Sequence, residues 1–170
     1  MRRVFHLAAV FFVLVAAMAQ EQAPTQPPAE PKPDPSILKE FTRSVKLDNL
    51  VMNFVLINDK TADVLFQPPG KYAIRARARM STLLYLQGTP DKDLKQVDTQ
   101  FKCEQDGQTM NGTAMNIKNF EGNAVAKGTR IEGLIQFEKK IDPTHAFKVH
   151  NANMSVEFKL SPEALKIMER

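Results

Sequence analysis

The strongest constraint on this chain is the regular alternation of apolar and polar residues within Arg130–Ser161. Apolar residues or glycine occupy every second position of Ile131–Phe137, and apolar residues do so again over Met154–Leu160. Side chains two residues apart share one face of a β-strand, so each run predicts a strand with one buried face. A shorter strand is expected at Phe147–Val149, because turn sequences flank it. Such strands need a second layer to cover their apolar faces, which the rest of the chain must supply.

Similar runs through the preceding part of the chain predict further strands. They are Val51–Ile57, Ala62–Phe66, Tyr72–Gln87, Val97–Cys103 and Thr113–Ile117. Asp48-Asn49 predicts a turn or bulge, and Asp106-Gly107 predicts a hairpin turn. Ser36 is expected to cap a helical turn at Ile37–Phe41, and Ser161-Pro162-Glu163 to begin a short C-terminal helix. Seven or eight short strands with regular turns favour an all-β sandwich or barrel.

Residues 1–19 predict a secretory signal peptide. Arg2 and Arg3 precede an apolar run, and Ala17–Ala19 offers the small residues that a signal peptidase reads. The run is too short for a transmembrane helix, and none is expected after cleavage before Gln20. The arginine pair also resembles the twin-arginine export motif, but the strongly apolar run after it favours an ordinary basic start. The protein is therefore expected to be secreted or periplasmic.

Residues 20–36 predict a disordered spacer, because this stretch is rich in proline and has no aromatic residue. A single domain is then expected over residues 37–170. Loss of the signal peptide would leave 21 basic against 19 acidic residues. A chain so close to neutral is not expected to bind nucleic acid.

Cys103 is the single cysteine of the chain, so no intramolecular disulfide can form. Cys103 shares one face of the predicted strand with Phe101, and this position predicts a buried, inert thiol. An intermolecular disulfide is the alternative that export would permit.

The closing segment Gly133–Leu160, GLIQFEKKIDPTHAFKVHNANMSVEFKL, resembles the last strands of small bacterial secreted immunoglobulin-like domains, mostly of unassigned function. The resemblance covers about the last third of the chain and extends loosely to its signal peptide, spacer and strand layout. It implies an immunoglobulin-like β-sandwich of about seven or eight antiparallel strands with a short C-terminal helix. No catalytic motif accompanies it. The chain lacks the paired cysteines and the tryptophan of antibody-type domains.

Arg75, Arg77 and Arg79 are the most distinctive local feature, because the predicted strand would align them along one face. Such a row could bind an anionic glycan, a lipid head group or an acidic protein. The alternative is a solvated face on which the arginines pair with Glu132, Glu138 or Glu157 of neighbouring strands.

His145, His150 and Met154 suggest a copper site, since imidazole and thioether ligands together suit Cu(I). Their spacing matches no metal motif, and methionines at strand positions more often fill a core. No other cofactor is expected, because the sequence has no glycine-rich phosphate loop, zinc-ligand cluster or nucleophile elbow.

A full set of strands without a catalytic constellation predicts a non-enzymatic exported domain that contacts an unidentified protein or anionic glycan. Two alternatives stay open. One is a carrier whose strands close into a barrel around a lipid or other small molecule, with the three arginines inside or at the rim. The other is a periplasmic copper-binding protein.

Overall fold

The computed structural model describes residues 33–95, 98–118 and 124–169. Within these ranges the chain forms eight strands, four α-helices and one 3₁₀ turn. The strands are β1 (Thr42–Leu47), β2 (Leu50–Leu56), β3 (Leu83–Pro90), β4 (Phe101–Gln105), β5 (Gln108–Lys118), β6 (Ile131–Phe137), β7 (Phe147–His150) and β8 (Ser155–Phe158). The helices are α1 (Leu38–Phe41), α2 (Asp59–Leu65), α3 (Gly70–Met80) and α4 (Pro162–Glu169), and the 3₁₀ turn is Pro35–Ile37. The predicted signal peptide, residues 1–19, and spacer residues 20–32 lie outside the described ranges.

All eight strands belong to one antiparallel sheet with the order β1-β2-β3-β6-β5-β4-β7-β8. The two edge strands, β1 and β8, lie next to each other, so the sheet is nearly closed. The guanidinium of Arg43 bridges the gap, because its Nη2 donates to the backbone oxygen of Lys159 at 2.6 Å. The same guanidinium lies 5.9 Å from the ring centre of Phe158. No helix in the described ranges is long and apolar enough to span a membrane.

The expected antiparallel β architecture and C-terminal helix are confirmed. The finer prediction of two sheets packed as an immunoglobulin-like sandwich is not confirmed, because the strands are joined in one sheet. The strands of the closing stretch are also confirmed, with Leu160 lying just beyond the last of them. β6 and β7 are not neighbours, however, because β5 and β4 lie between them in the sheet.

Phenylalanine rings fill the interior of the nearly closed sheet. Six of them are at most 2% exposed, namely Phe41, Phe54, Phe101, Phe137, Phe147 and Phe158. Phe54 and Phe101 meet edge to face at 6.0 Å between ring centres, while Phe147 and Phe158 stack at 4.8 Å. The alternation over β6 and β8 therefore places the predicted side chains, Phe137 and Phe158, in the core.

A second, smaller core lies on the outer face of the sheet, under α2 and α3. It consists of Ile57, Ala62, Ala78, Leu83 and Leu134. Leu83 and Leu134 are on the opposite strand face from Leu84 and Ile135, which belong to the interior core. β3 and β6 are thus buried on both faces at this point, which explains their continuous apolar runs.

The predicted strand Tyr72–Gln87 is wrong in its first half, which is helix α3, whereas its second half enters β3. Alanine, arginine, lysine and methionine dominate α3, and all four are strong helix formers. Their alternation imitates a strand, but the helix buries Ala78 against the sheet and exposes Tyr72 and Met80. The chain leaves the helix at Ser81, whose N–H donates to the backbone oxygen of Arg77 at 3.0 Å.

The predicted strand Ala62–Phe66 is also wrong, because Asp59–Leu65 is helix α2. Asn58 caps this helix through its side-chain oxygen, and the Thr61 hydroxyl accepts a bond from the Asn58 N–H in return. This reciprocal capping box is a local signal for a helix start. Asp34, rather than Ser36, caps the N-terminal turn by accepting from the Ser36 N–H at 2.9 Å.

Two predicted turns and the predicted cap of the C-terminal helix are confirmed. Asp48-Asn49 joins β1 to β2, and Asp106-Gly107 joins β4 to β5. Asp106 and Gly107 have φ values of 49° and 76°, the backbone that a tight two-residue hairpin requires. Ser161 caps α4, since its hydroxyl accepts from the Ala164 N–H at 3.0 Å.

Replacing either buried ring, Phe137→Ala or Phe158→Ala, should lower the free energy of unfolding by about 3–5 kcal/mol, because each leaves a cavity in the core. Urea denaturation followed by circular dichroism measures the loss. Met80→Ala is the control, since this apolar side chain is 82% exposed and should change stability by less than about 0.5 kcal/mol. A loss below about 1 kcal/mol at both phenylalanines would contradict the core assignment.

Candidate anion-binding site

Helices α2 and α3 form a hairpin that is held together by a row of ion pairs. Lys71, Arg75 and Arg79 follow one another at intervals of four residues, so they share one side of α3. Asp59 and Asp63, also four residues apart, face them from α2. The start of α2 pairs with the end of α3, so the two helices run antiparallel.

The ion pairs are shortest at the end of the hairpin that lies away from the loop joining α2 to α3. Arg79 holds Asp59 with two bonds, Nη2 to Oδ2 at 2.6 Å and Nε to Oδ1 at 3.3 Å. Arg75 lies between the two acids, with Nη2 at 3.5 Å from Asp59 and Nη1 at 3.2 Å from Asp63. Lys71 Nζ lies 3.7 Å from Asp63. Two carboxylates of α2 thus face three cations of α3.

The pair at this end changes the pKa of both partners. The hydrogen bond from Arg79 holds the pKa of Asp59 below its ordinary 3.8, and burial opposes this only in part. The pKa of Arg79 is raised by the same bond. Asp59 therefore stays ionised well into the acidic range.

Arg77 does not belong to the row. Its Nη1 lies 3.1 Å from the sulfur of Met115, on the other side of α3. It is exposed, and no carboxylate lies within ion-pair distance of it among the described residues. The expected alignment of Arg75, Arg77 and Arg79 on one strand face is therefore wrong, because a helix turns Arg77 away from the other two.

The arginine partners also differ from the expected ones. Glu132 contacts Arg130 and the hydroxyl of Tyr85, and Glu138 lies 3.4 Å from the Asn111 amide. The acids that pair with Arg75 and Arg79 come from α2, which the sequence patterns did not identify as a helix. The four-residue spacing of Lys71, Arg75 and Arg79 is the signal that would have revealed the row.

The outward side of α3 carries exposed apolar and cationic side chains together. Tyr72 is 52% exposed and Met80 is 82% exposed. Arg77 and Arg79 are exposed on the same helix. Lys139 and Lys140 follow β6 and lie beside the helix end, where Lys140 Nζ donates to the backbone oxygen of Arg79 at 3.4 Å. We call Tyr72, Arg77, Arg79 and Met80 the outer basic surface.

A cleft of about 320 Å³ opens between α2, α3 and the loop that follows β6. Asp59, Arg75, Arg79 and Lys140 are among the residues that line it. Arg79 therefore borders both this cleft and the outer basic surface.

The predicted copper ligands have other partners. His145 Nδ1 lies 2.9 Å from Asp106, and His150 Nε2 lies 3.0 Å from Glu104. Met154 is 6% exposed and belongs to the interior core. His150 and Met154 border one shallow depression, whereas His145 lies at the β4–β5 turn. In the described ranges no three His, Cys, Asp or Glu side chains are grouped to hold a metal.

Cys103 is fully buried in β4. Burial, with a smaller contribution from Glu104, raises the pKa of its thiol to about 12. The thiol therefore stays protonated near neutral pH, which opposes both nucleophilic chemistry and disulfide exchange.

Comparison with protein-family models and with curated proteins gives no match. Two solved structures are partly similar. One is the crystal structure of a functionally unknown protein from Listeria monocytogenes EGD-e, with 12% identity, a TM-score of 0.42, and coverage of 72% of this chain and 84% of that one. The other is a DUF4426 family protein from Pseudomonas aeruginosa PAO1, with 14% identity, a TM-score of 0.33, and coverage of 70% and 90%. Neither description names an activity.

Asp59→Asn should destabilise the protein by about 0.5–1 kcal/mol near neutral pH, because solvent screens much of the ion pair that it removes. The pKa of Asp59 is lowered in the folded state, so its contribution is present above 3.8 and is lost as pH falls through the lowered value. The stability difference between wild type and variant should therefore shrink as the pH falls below 3.8, as measured by urea denaturation. In about 1 M salt the stability difference should be smaller at every pH, because salt screens the ion pair. A difference that is constant with pH would contradict the pairing.

His145 should titrate above its ordinary pKa of 6.5, because the Asp106 carboxylate and, to a smaller extent, Asp142 stabilise its charged form. The resulting stabilisation is complete below pH 6.5 and is lost as pH rises through the raised value. NMR titration of the ring protons measures this pKa, which Asp106→Asn should return towards 6.5. An unchanged value in that variant would show that Asp106 is not the cause.

Proposed function

We propose that the protein is a non-enzymatic exported binding module that contacts an anionic macromolecule through the outer basic surface. The observation that carries the proposal is the exposed cation Arg77 of α3, which lies on the same helix as exposed Tyr72 and Met80. Of the other basic residues of α3, Lys71 is buried, and Arg75 and Arg79 pair with the carboxylates of α2. Arg77 in particular is exposed and has no acidic partner among the described residues.

An acidic protein segment suits this surface better than a bare polyanion. Exposed Tyr72 and Met80 flank the cations, and a protein partner could cover them with apolar side chains of its own. Exposed arginine and tyrosine are also the residue types that contribute most to protein interfaces. An anionic glycan would use the cations and leave Met80 uncovered.

The alternative of a carrier with its ligand inside the sheet has less support. The rings of six phenylalanines occupy that interior, and all are at most 2% exposed. The three arginines are on a helix outside the sheet, not on a strand that faces its interior. For the fold itself, we propose barrel-like closure in place of an immunoglobulin-like sandwich, and the contact of Arg43 across the two edge strands supports it.

The proposal is tested by titrating the protein with an acidic peptide that contains aromatic residues and, separately, with a sulfated polysaccharide. Calorimetry at low and high salt measures each affinity. Arg77→Glu should weaken peptide binding roughly tenfold, because it reverses an exposed charge at the contact. Lys102→Glu is the matched control, since it makes the same charge change at an exposed position of β4.

Equal binding by the Arg77→Glu and Lys102→Glu variants would overturn the assignment of the surface. Binding of the polysaccharide alone would replace the protein partner by an anionic glycan. If the wild type bound neither probe at low salt, the function as an anion-binding module would be wrong.

A further inference from the structure

The cleft beside Arg79 has an apolar floor and a charged mouth. Its floor is formed by the apolar side chains Leu56, Ile57, Ala78, Ile141 and Met168. Its volume, about 320 Å³, is at the lower end of the range for small-molecule sites. A small ligand with an apolar portion would therefore be largely enclosed, whereas a long lipid chain would not.

The unpaired charge at the mouth is positive. Asp59 and Asp63 line the cleft, but Arg75 and Arg79 already neutralise them. Lys60 and Lys140 line it too, and neither has a carboxylate within ion-pair distance in the part of the chain that the structure describes. The Lys140 ammonium meets only a backbone oxygen there, that of Arg79 at 3.4 Å. An anionic group at the mouth would therefore find two cations without competing for a salt bridge.

Asn58 also contributes to the lining of the cleft. Its side-chain oxygen is occupied, because it accepts from the N–H groups of Lys60 and Thr61 at 2.9 and 3.0 Å. Its side-chain nitrogen Nδ2 is buried and has no acceptor among the described residues. Because Nδ2 is buried and therefore not open to the cleft, the anion would be recognised by the two lysines at the mouth.

From this geometry we propose that the cleft binds a small amphipathic organic anion. The carboxylate or phosphate ester head lies at the mouth with Lys60 and Lys140. The apolar tail lies against the floor. This site is distinct from the outer basic surface, because Lys60 and Asn58 belong to the α2 side of the hairpin, so the inference does not depend on the macromolecular partner.

The test uses a series of probes with one apolar chain and different heads: octanoate, octyl phosphate, octanol and octylammonium. Acetate and inorganic phosphate supply the heads without the chain. Calorimetry gives affinity and stoichiometry, and NMR follows the methyl groups of Ile57, Ile141 and Met168. Octanoate or octyl phosphate should bind one to one and shift these methyl signals. The other probes should bind at least about tenfold more weakly, because they lack either the charge or the apolar contact.

Two variants make the lining of the cleft more negative at different positions. Lys60→Glu should weaken binding of the anionic probe about tenfold or more, since it reverses a charge at the mouth. Asn58→Asp keeps the capping oxygen, and so keeps α2, but replaces the Nδ2 donor by an oxygen that repels the anion. It should also weaken binding about tenfold, while thermal melting shows that the variant is folded. Lys102→Glu should bind as the wild type does.

The preference between octanoate and octyl phosphate identifies the head group. Equal affinity for octanoate and octylammonium, wild-type affinity in Lys60→Glu, or binding without shifts of the three methyl groups would each overturn the proposal. The Arg77→Glu variant distinguishes binding of the acidic peptide from binding of the small anion. Arg77 lies outside the cleft, so this variant should bind the peptide more weakly but bind octanoate as the wild type does.

Discussion

Burial of β3 and β6 on both faces is the constraint on which the rest of this structure depends. Their inner faces contribute Leu84 and Ile135 to the phenylalanine core, and their outer faces contribute Leu83 and Leu134 to the helices. A sheet with an apolar outer patch would be unstable in water, so the α2–α3 hairpin must cover it. The hairpin is therefore a required layer of the fold as well as the carrier of the charged residues.

The same packing positions the candidate sites. Ala78 is 7% exposed against the sheet, and its small side chain lets the backbone of α3 approach closely. With that side of the helix fixed, Arg75 and Arg79 face α2, while Arg77 and Met80 point away from it. Apolar contacts thus set the orientation of the helix, and the ion pairs with Asp59 and Asp63 add a smaller stabilisation at the surface of the hairpin.

Local sequence patterns predicted those elements whose conformation depends mainly on neighbouring residues. Alternation placed Phe137 and Phe158 in the core, because a strand with one buried face shows a period of two wherever it lies in the sheet. Asp106-Gly107 was recognisable as a hairpin turn because few other sequences adopt its backbone angles. The helix α3 was not recognisable in this way, since alternating alanine and arginine satisfies a strand pattern while each residue also favours a helix.

The residues alone determined the antiparallel β class, the main turns, the C-terminal helix and the burial of Cys103, because each of these depends on neighbours along the chain. Tertiary structure decided the strand order, in which β5 and β4 separate β6 from β7, and the pairing of the α3 cations with the α2 acids. It also created the cleft, whose walls come from segments as distant as Ile57 and Met168. These features join residues far apart in sequence, and local periodicity does not indicate which strands and helices will pack against each other.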